Sequence, residues 1–191
     1  MNFDSTIIYL LGYPGTGKHT IGKEICRQNS RFRLIDNHLI NTPIFSIINA
    51  DGVTPLPLKV WENVGKIWDA VLDTLVNVTP PDFSFVLTNA LFDSEGDRAW
   101  FKEIEAMAKT RNAKFVPVLL RVSVEEHQKR IVQPERKKRI KETDPKSPAR
   151  YALLNNLYVP DHPNLLTLDV SDMPPSESAQ IILNYLSQAG E

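Results

Sequence analysis

Residues 12 to 18 read Gly12-Tyr13-Pro14-Gly15-Thr16-Gly17-Lys18, between an apolar run and a segment of helical periodicity. Glycine tolerates the positive φ that lets a backbone curl until successive amides converge, and a helix starting there adds the positive end of its macrodipole. The spacing Gly-x-x-x-x-Gly-Lys is that of a phosphate-binding loop, in which Lys18 supplies a mobile cation for the outer phosphates. Such a loop also constrains the fold, because it joins a buried strand to a crossover helix.

The flanking sequence agrees. Thr6–Leu11 is β-branched and aromatic without polar alternation, as in a parallel strand covered on both faces. Lys18–Gln28 predicts a helix with Ile21 and Ile25 inward, and Phe32–Asp36 a second strand. Apolar positions Trp61, Val64, Trp68 and Leu75 recur at helical spacing up to Pro80-Pro81, followed by a strand over 83–88. Ser94 and Ser123 each open a capping-box pattern ahead of a helix, with a strand over 115–120 between them. A fifth strand over 165–170 and a helix after Pro174-Pro175 end the series. Strands alternating with helices predict one α/β domain over 1–191, a five-stranded parallel sheet with helices on both faces. Two stretches, 37–57 with its three prolines and 133–148, read as irregular flaps over the carboxyl edge of the sheet.

The whole chain narrows the partners. Its 22 Lys and Arg against 23 Asp and Glu leave a net charge of −1, which gives no global reason for a nucleic-acid or membrane partner. A single cysteine, Cys26, excludes an internal disulfide and fits a reducing, cytoplasmic setting. The start Met1-Asn2-Phe3-Asp4 lacks the basic region of a signal peptide, and the run Ile7 to Leu11 is too short to span a bilayer. Oligomeric state is not legible in the sequence.

One feature departs from the general motif: His19 stands where Ser or Thr usually follows the lysine, and the hydroxyl comes next, at Thr20. In this form, Pro14-Gly15-x-Gly17-Lys18-x-Thr20 resembles the loop of adenylate kinase and related nucleoside-monophosphate kinases. The order of elements is also similar to shikimate and gluconate kinases. The resemblance implies a three-layer P-loop kinase fold, with an acceptor-binding insertion at 37–60 and an arginine-bearing lid at 130–148. It further implies ATP and Mg2+ as cofactors, held by Gly12, Pro14, Gly15, Thr16, Gly17 and Lys18 with His19 and Thr20 alongside. Thr20 reads either as a magnesium or phosphate contact or as an ordinary helix residue, and His19 as a solvated residue at the helix start.

On the acceptor side, Asp36-Asn37-His38 closes the second strand at the same sheet edge as the loop. A carboxylate there orients a hydroxyl toward the γ-phosphate and accepts its proton; capping by Asp36 or Asn37 is the alternative. Thr88-Asn89 ends the third strand without the acid that often orders magnesium, and Asp93 is the nearest carboxylate. Seven of the thirteen residues from Lys129 to Lys141 are Lys or Arg. By resemblance Arg130, Arg136 and Arg139 are the candidates for phosphate, with Lys137, Lys138 and Lys141 in solvent. Segment 168–171 lies beside the adenine by position alone, and Trp61 and Trp68 read as core packing. The functional expectation is ATP-dependent phosphoryl transfer to a small-molecule acceptor, catalysed by Lys18, Asp36, Arg130 and Arg136. A nucleoside-monophosphate kinase, a non-catalytic or slow NTPase regulatory module, and a polynucleotide 5′-end kinase are the alternatives.

Overall fold

The computed structural model describes residues 5–48, 50–138 and 140–188. Five parallel strands run β1 Thr6–Leu11, β2 Phe32–Asp36, β3 Ser84–Asn89, β4 Lys114–Arg121 and β5 Leu166–Asp169, in the spatial order β2-β3-β1-β4-β5. Eight helices intervene among the described residues: α1 Lys18–Gln28, α2 Asn37–Ile47, α3 Leu58–Asn77, α4 Glu95–Thr110, α5 Val124–Ile131, α6 Pro134–Lys137, α7 Ser147–Leu154 and α8 Pro175–Gln188.

The unbroken burial of β1 follows from this layering. Ile7, Tyr9 and Leu11 project into one core with Trp68, Leu72 and Phe101 of α3 and α4, whereas Ile8 and Leu10 meet Ile21, Ile25 and Ile182 of α1 and α8. Two hydrophobic cores, one per face, are what a strand apolar at every position requires. Both serine caps form, Ser94 Oγ accepting from Asp97 N and Ser123 Oγ from Glu126 N. No described helix is long and apolar enough to cross a membrane.

Helix α2 corrects the expectation of an irregular 37–57. Pro43 lies inside it, but a proline removes one ladder bond, and Ile40 and Phe45 bury enough surface to hold the remaining turns. Likewise 133–148 contains α6 and the start of α7. Within these two stretches, the linker between α2 and α3 and residues 133, 138 and 140–146 are non-helical among the described residues.

The sheet face opposite α1 is closed by an arginine. Arg111, buried after α4, donates to the carbonyls of Leu75, Pro80 and Phe83 and to Thr79 Oγ1, serving the end of α3 and the entry to β3. Arg111→Ala removes these donors, although Leu75 O keeps Thr79 Oγ1 and Pro80 O keeps the Phe83 amide, and is expected to cost about 1 to 3 kcal/mol, read as a lower urea midpoint with unchanged m.

Candidate active site

The carboxyl ends of β1, β2 and β3 converge, since Leu11 pairs with Asn89 and Asp36 with Thr88. Over this edge lies a cleft of about 1020 Å³, bordered at one end by the Gly12–Lys18 loop and at the other by α2, α3 and the start of α4.

The loop has the backbone its glycines allow, with φ of +103° at Gly15 and +102° at Gly17. A Cβ on Gly15 would lie 2.9 Å from His127 Nε2, and that ring nitrogen is 2.6 Å from Pro14 O, so α5 clamps the loop from behind. Tyr13 stacks on Tyr151 of α7, with centroids 4.4 Å apart and planes 7° from parallel. Gly12 and Thr16 support the loop from beneath: Thr16 Oγ1 donates to Tyr13 O at 3.0 Å, and a Cβ on Gly12 would meet Leu120 O. Pro14, Gly15, Gly17, Lys18, His19 and Thr20 border the cleft.

Lys18 Nζ donates to Gly12 O at 2.6 Å and Tyr13 O at 2.8 Å. Burial pulls its pKa down to about 7, and the charges of Arg136 and Lys141 add to the shift. Asp36 and Glu142 offset these cations only in part, and a polyphosphate there would raise the ammonium's pKa again.

Asp36 is the hub of the other end. Its Oδ1 accepts from Thr88 Oγ1 at 2.8 Å, its Oδ2 lies 2.8 Å from His19 Nδ1, and Lys141 Nζ donates to Oδ2 at 3.4 Å. Burial pushes the carboxyl upward, but the His19 bond, the Lys141 charge and the Thr88 bond outweigh it and hold Asp36 well below the usual carboxylate range. Although Asp36 occupies the cap position of α2, its side chain makes no capping bond. The capping alternative for this residue is therefore set aside.

Two corrections follow. His19 is not a solvated helix-start residue, because the fold brings Asp36 onto its ring, and its side chain is 21% exposed. Lys141 is not in solvent with Lys137 and Lys138; its side chain is 12% exposed and lies against Asp36, whereas that of Lys138 is 70% exposed and pairs with Glu135. Trp61 departs from the core-packing expectation, being 46% exposed at the cleft with its ring edge-on to Phe45, while Trp68 is buried as expected.

The lid arginines divide. Arg130 donates to Glu126 Oε1, Thr16 O, Val170 O and Ser171 O, so it braces the phosphate loop against the end of β5. Arg136 borders the cleft, anchored by Nε to Glu142 O at 2.9 Å. Arg139 lies outside the described residues. Asp93 pairs with Arg98 away from the cleft, whereas Asp97 borders it and is raised by burial against the Phe92 amide that binds it. Among the described residues no three His, Cys, Asp or Glu cluster as a metal site. A magnesium ion that keeps most of its water and phosphate ligands needs only one protein oxygen, and the exposed Thr20 hydroxyl at the cleft fits that need.

His38 gives the site a pH signature. Burial lowers its pKa to about 4, with Lys141 adding to the effect. The unfolded chain binds this proton near pH 6.5 and the folded chain near 4, so stability rises with pH across that window and is fully present above it. His38→Gln is expected to flatten the fall in thermal stability between pH 6.5 and 4, by on the order of 2 kcal/mol, leaving a smaller residue from His127, which is also lowered by burial.

No protein-family model and no curated protein matches the sequence. Solved structures do match. A gluconokinase from Sinorhizobium meliloti 1021 superposes with a TM-score of 0.65 at 15% identity, covering 99% of this chain and 95% of that one. The chain has the fold of the P-loop kinases. A thymidylate kinase from Candida albicans follows with a TM-score of 0.64 at 13% identity, over 97% of this chain and 92% of its own. An APS kinase from Mycobacterium tuberculosis, solved with AMPPNP and APS, gives 0.55 at 18% identity over 96% and 98%. In this P-loop kinase fold the cleft lies where open parallel sheets bind ligands, at the carboxyl ends of strands flanking the change in strand order around β1.

The residues missed in the sequence are His127, Lys141, Asn41, Asp97 and Trp61 as a cleft residue. His127 is 113 residues from Pro14 and Lys141 105 from Asp36, distances over which no local pattern couples side chains, and only the capping-box spacing of Asp97 left a local trace.

Proposed function

We propose that this chain transfers the γ-phosphoryl group of ATP to a hydroxyl of a small metabolite. The observation that carries it is one continuous cleft joining the phosphate loop to an anionic hub, Asp36, at the end of β2, one strand removed from β1. The loop amides and Lys18 hold the triphosphate, and Arg136, from the lid at 130–148, faces the same anion. Magnesium bound with the nucleotide neutralises charge on the β and γ phosphates, and Thr20 is the hydroxyl of this chain that would hold it. The insertion at 37–60 forms the acceptor wall.

The role of Asp36 shifts from the simple base of the sequence reading. A carboxyl held so far below its usual range is a weak proton acceptor, so Asp36 acts by fixing His19 and Lys141 and by aligning the acceptor hydroxyl. A loose phosphoryl transition state needs little help from a base, and the acceptor's proton leaves late, to an oxygen of the transferred phosphoryl group and then to water. The oxygen–phosphorus bond to the acceptor forms as the bond to ADP breaks.

The second reading, a slow NTPase switch, is favoured by one feature: Asn89 stands at the end of β3 where no acid orders an attacking water. Purified protein with ATP and magnesium separates the two. ADP formation that depends on an added small acceptor supports transfer; nucleotide binding with turnover indifferent to metabolites, nucleoside monophosphates and oligonucleotides selects the switch.

A further inference from the structure

The cations of the cleft are segregated. Lys18, Lys23, Arg130, Arg136 and Lys141, which border it, all come from the phosphate loop, α1 and the lid. Among the described residues, the wall from Asn37 to Trp100 contributes no Lys or Arg to the cleft. Its lysines, Lys59 and Lys66, bind Glu62 and Asn63 in solvent. His38 is the remaining base there, and burial keeps it neutral at pH 7. The acids Asp36 and Asp97 border the same space.

The wall is otherwise amide and aromatic. Asn37 Nδ2 donates to Asn89 Oδ1 at 3.3 Å, and the Ala90 amide donates to the same oxygen at 2.8 Å. Asn41, on α2 and 3% exposed, borders the cleft with an Oδ1 that has no hydrogen-bond partner among the described residues. A buried amide oxygen without a donor costs stability, and a hydroxyl arriving from the cleft removes that cost. Trp61, Phe92 and the T-shaped pair Trp68–Trp100, with centroids 5.3 Å apart, supply flat apolar surface beside it.

We propose that the acceptor is an uncharged, hydroxyl-bearing ring such as a cyclic polyol or monosaccharide, recognised by the Asn37, Asn41 and Asn89 amides and laid against the tryptophan wall. The proposal rests on the phosphoryl-transfer reading above and narrows it. An acceptor carrying a carboxylate or phosphate would find no Lys or Arg among the described residues of this wall, and Lys141, the lid cation that reaches this end of the cleft, is already held by Asp36 at 3.4 Å, so a charged group would have to compete with that carboxylate for its partner. A polyol offers donors and acceptors to amides that both give and receive, and its C–H face covers the aromatic surface.

The test uses the full chain with saturating ATP and magnesium. ADP formation is followed with glucose, myo-inositol, gluconate, glucose 6-phosphate and AMP, each at about 20 mM, well above usual KM values. A neutral ring is expected to raise the rate at least about tenfold over the acceptor-free rate, with the charged compounds behind it. In Trp61→Ala, acceptor KM rises about tenfold with kcat less affected. Asn41→Leu adds a sharper readout: it raises the melting temperature, because the undonated oxygen is gone, while raising acceptor KM. The proposal is overturned if gluconate, glucose 6-phosphate or AMP is preferred, if no neutral ring stimulates turnover, or if Asn41→Leu lowers the melting temperature. Turnover with a charged acceptor leaves phosphoryl transfer standing and removes only this narrowing; ATP bound but never consumed removes the transfer reading itself.

Discussion

Lys18→Ala is expected to abolish ATP turnover, with a fall of at least about 10³ in kcat/KM, while the protein melts at or slightly above the parent temperature. The two halves of that result come from one fact. Lys18 is a desolvated ammonium whose pKa is brought to about 7 by burial and by the neighbouring Arg136 and Lys141, and in the loop it satisfies only the carbonyls of Gly12 and Tyr13. A cation placed where the folded protein strains to keep it charged contributes little to folding. It is useful only when an anion arrives. Circular dichroism with calorimetric titration of ATP checks both halves, and a large loss of melting temperature in Lys18→Ala would contradict the account.

Asp36→Asn is expected to lower kcat by about 10² to 10³ while ATP affinity stays within a few-fold of the parent. Asparagine keeps the shape but discards the charge that draws His19 and Lys141 to one point. Its amide also places two donors where the carboxylate accepted from three sides. Stability should drop by about 1 to 3 kcal/mol, because Lys141 keeps its burial and loses its counter-charge. Single-turnover assays at saturating ATP isolate the chemical step; a parent-like rate there would remove Asp36 from the transfer machinery.

The parallel sheet and the phosphate loop were legible because their signals are local. Unbroken apolar runs, glycine spacing and two serine caps each report on a handful of consecutive residues, and the strands formed within a residue or so of expectation. Helix α2 was obscured by Pro43, which outweighed the helical spacing of Ile40, Ile44 and Phe45 in a proline-rich stretch. The hub at Asp36 was half visible. Its position at the end of β2 could be read, but His19, Thr88 and Lys141 arrive from three other segments, and no pattern in a linear sequence couples them. The same applies to the lid, where Arg130 borders the cleft while bracing backbone and Lys141 reaches Asp36 from a segment read as solvated.

Asp36 and Thr88 are register partners on adjacent strands, bonded side chain to side chain. The carboxylate proposed to align the acceptor is thereby tied to the hydrogen-bonded sheet, where a slip of one residue would reverse every neighbour. The rest of the proposed acceptor wall belongs to α2 and α3, which rest on the sheet without being part of it. On the proposed reading, reactivity and taste are thus housed in separate parts, so exchanges along those two helices are expected to change which molecule is accepted while the place where phosphorus changes hands stays put.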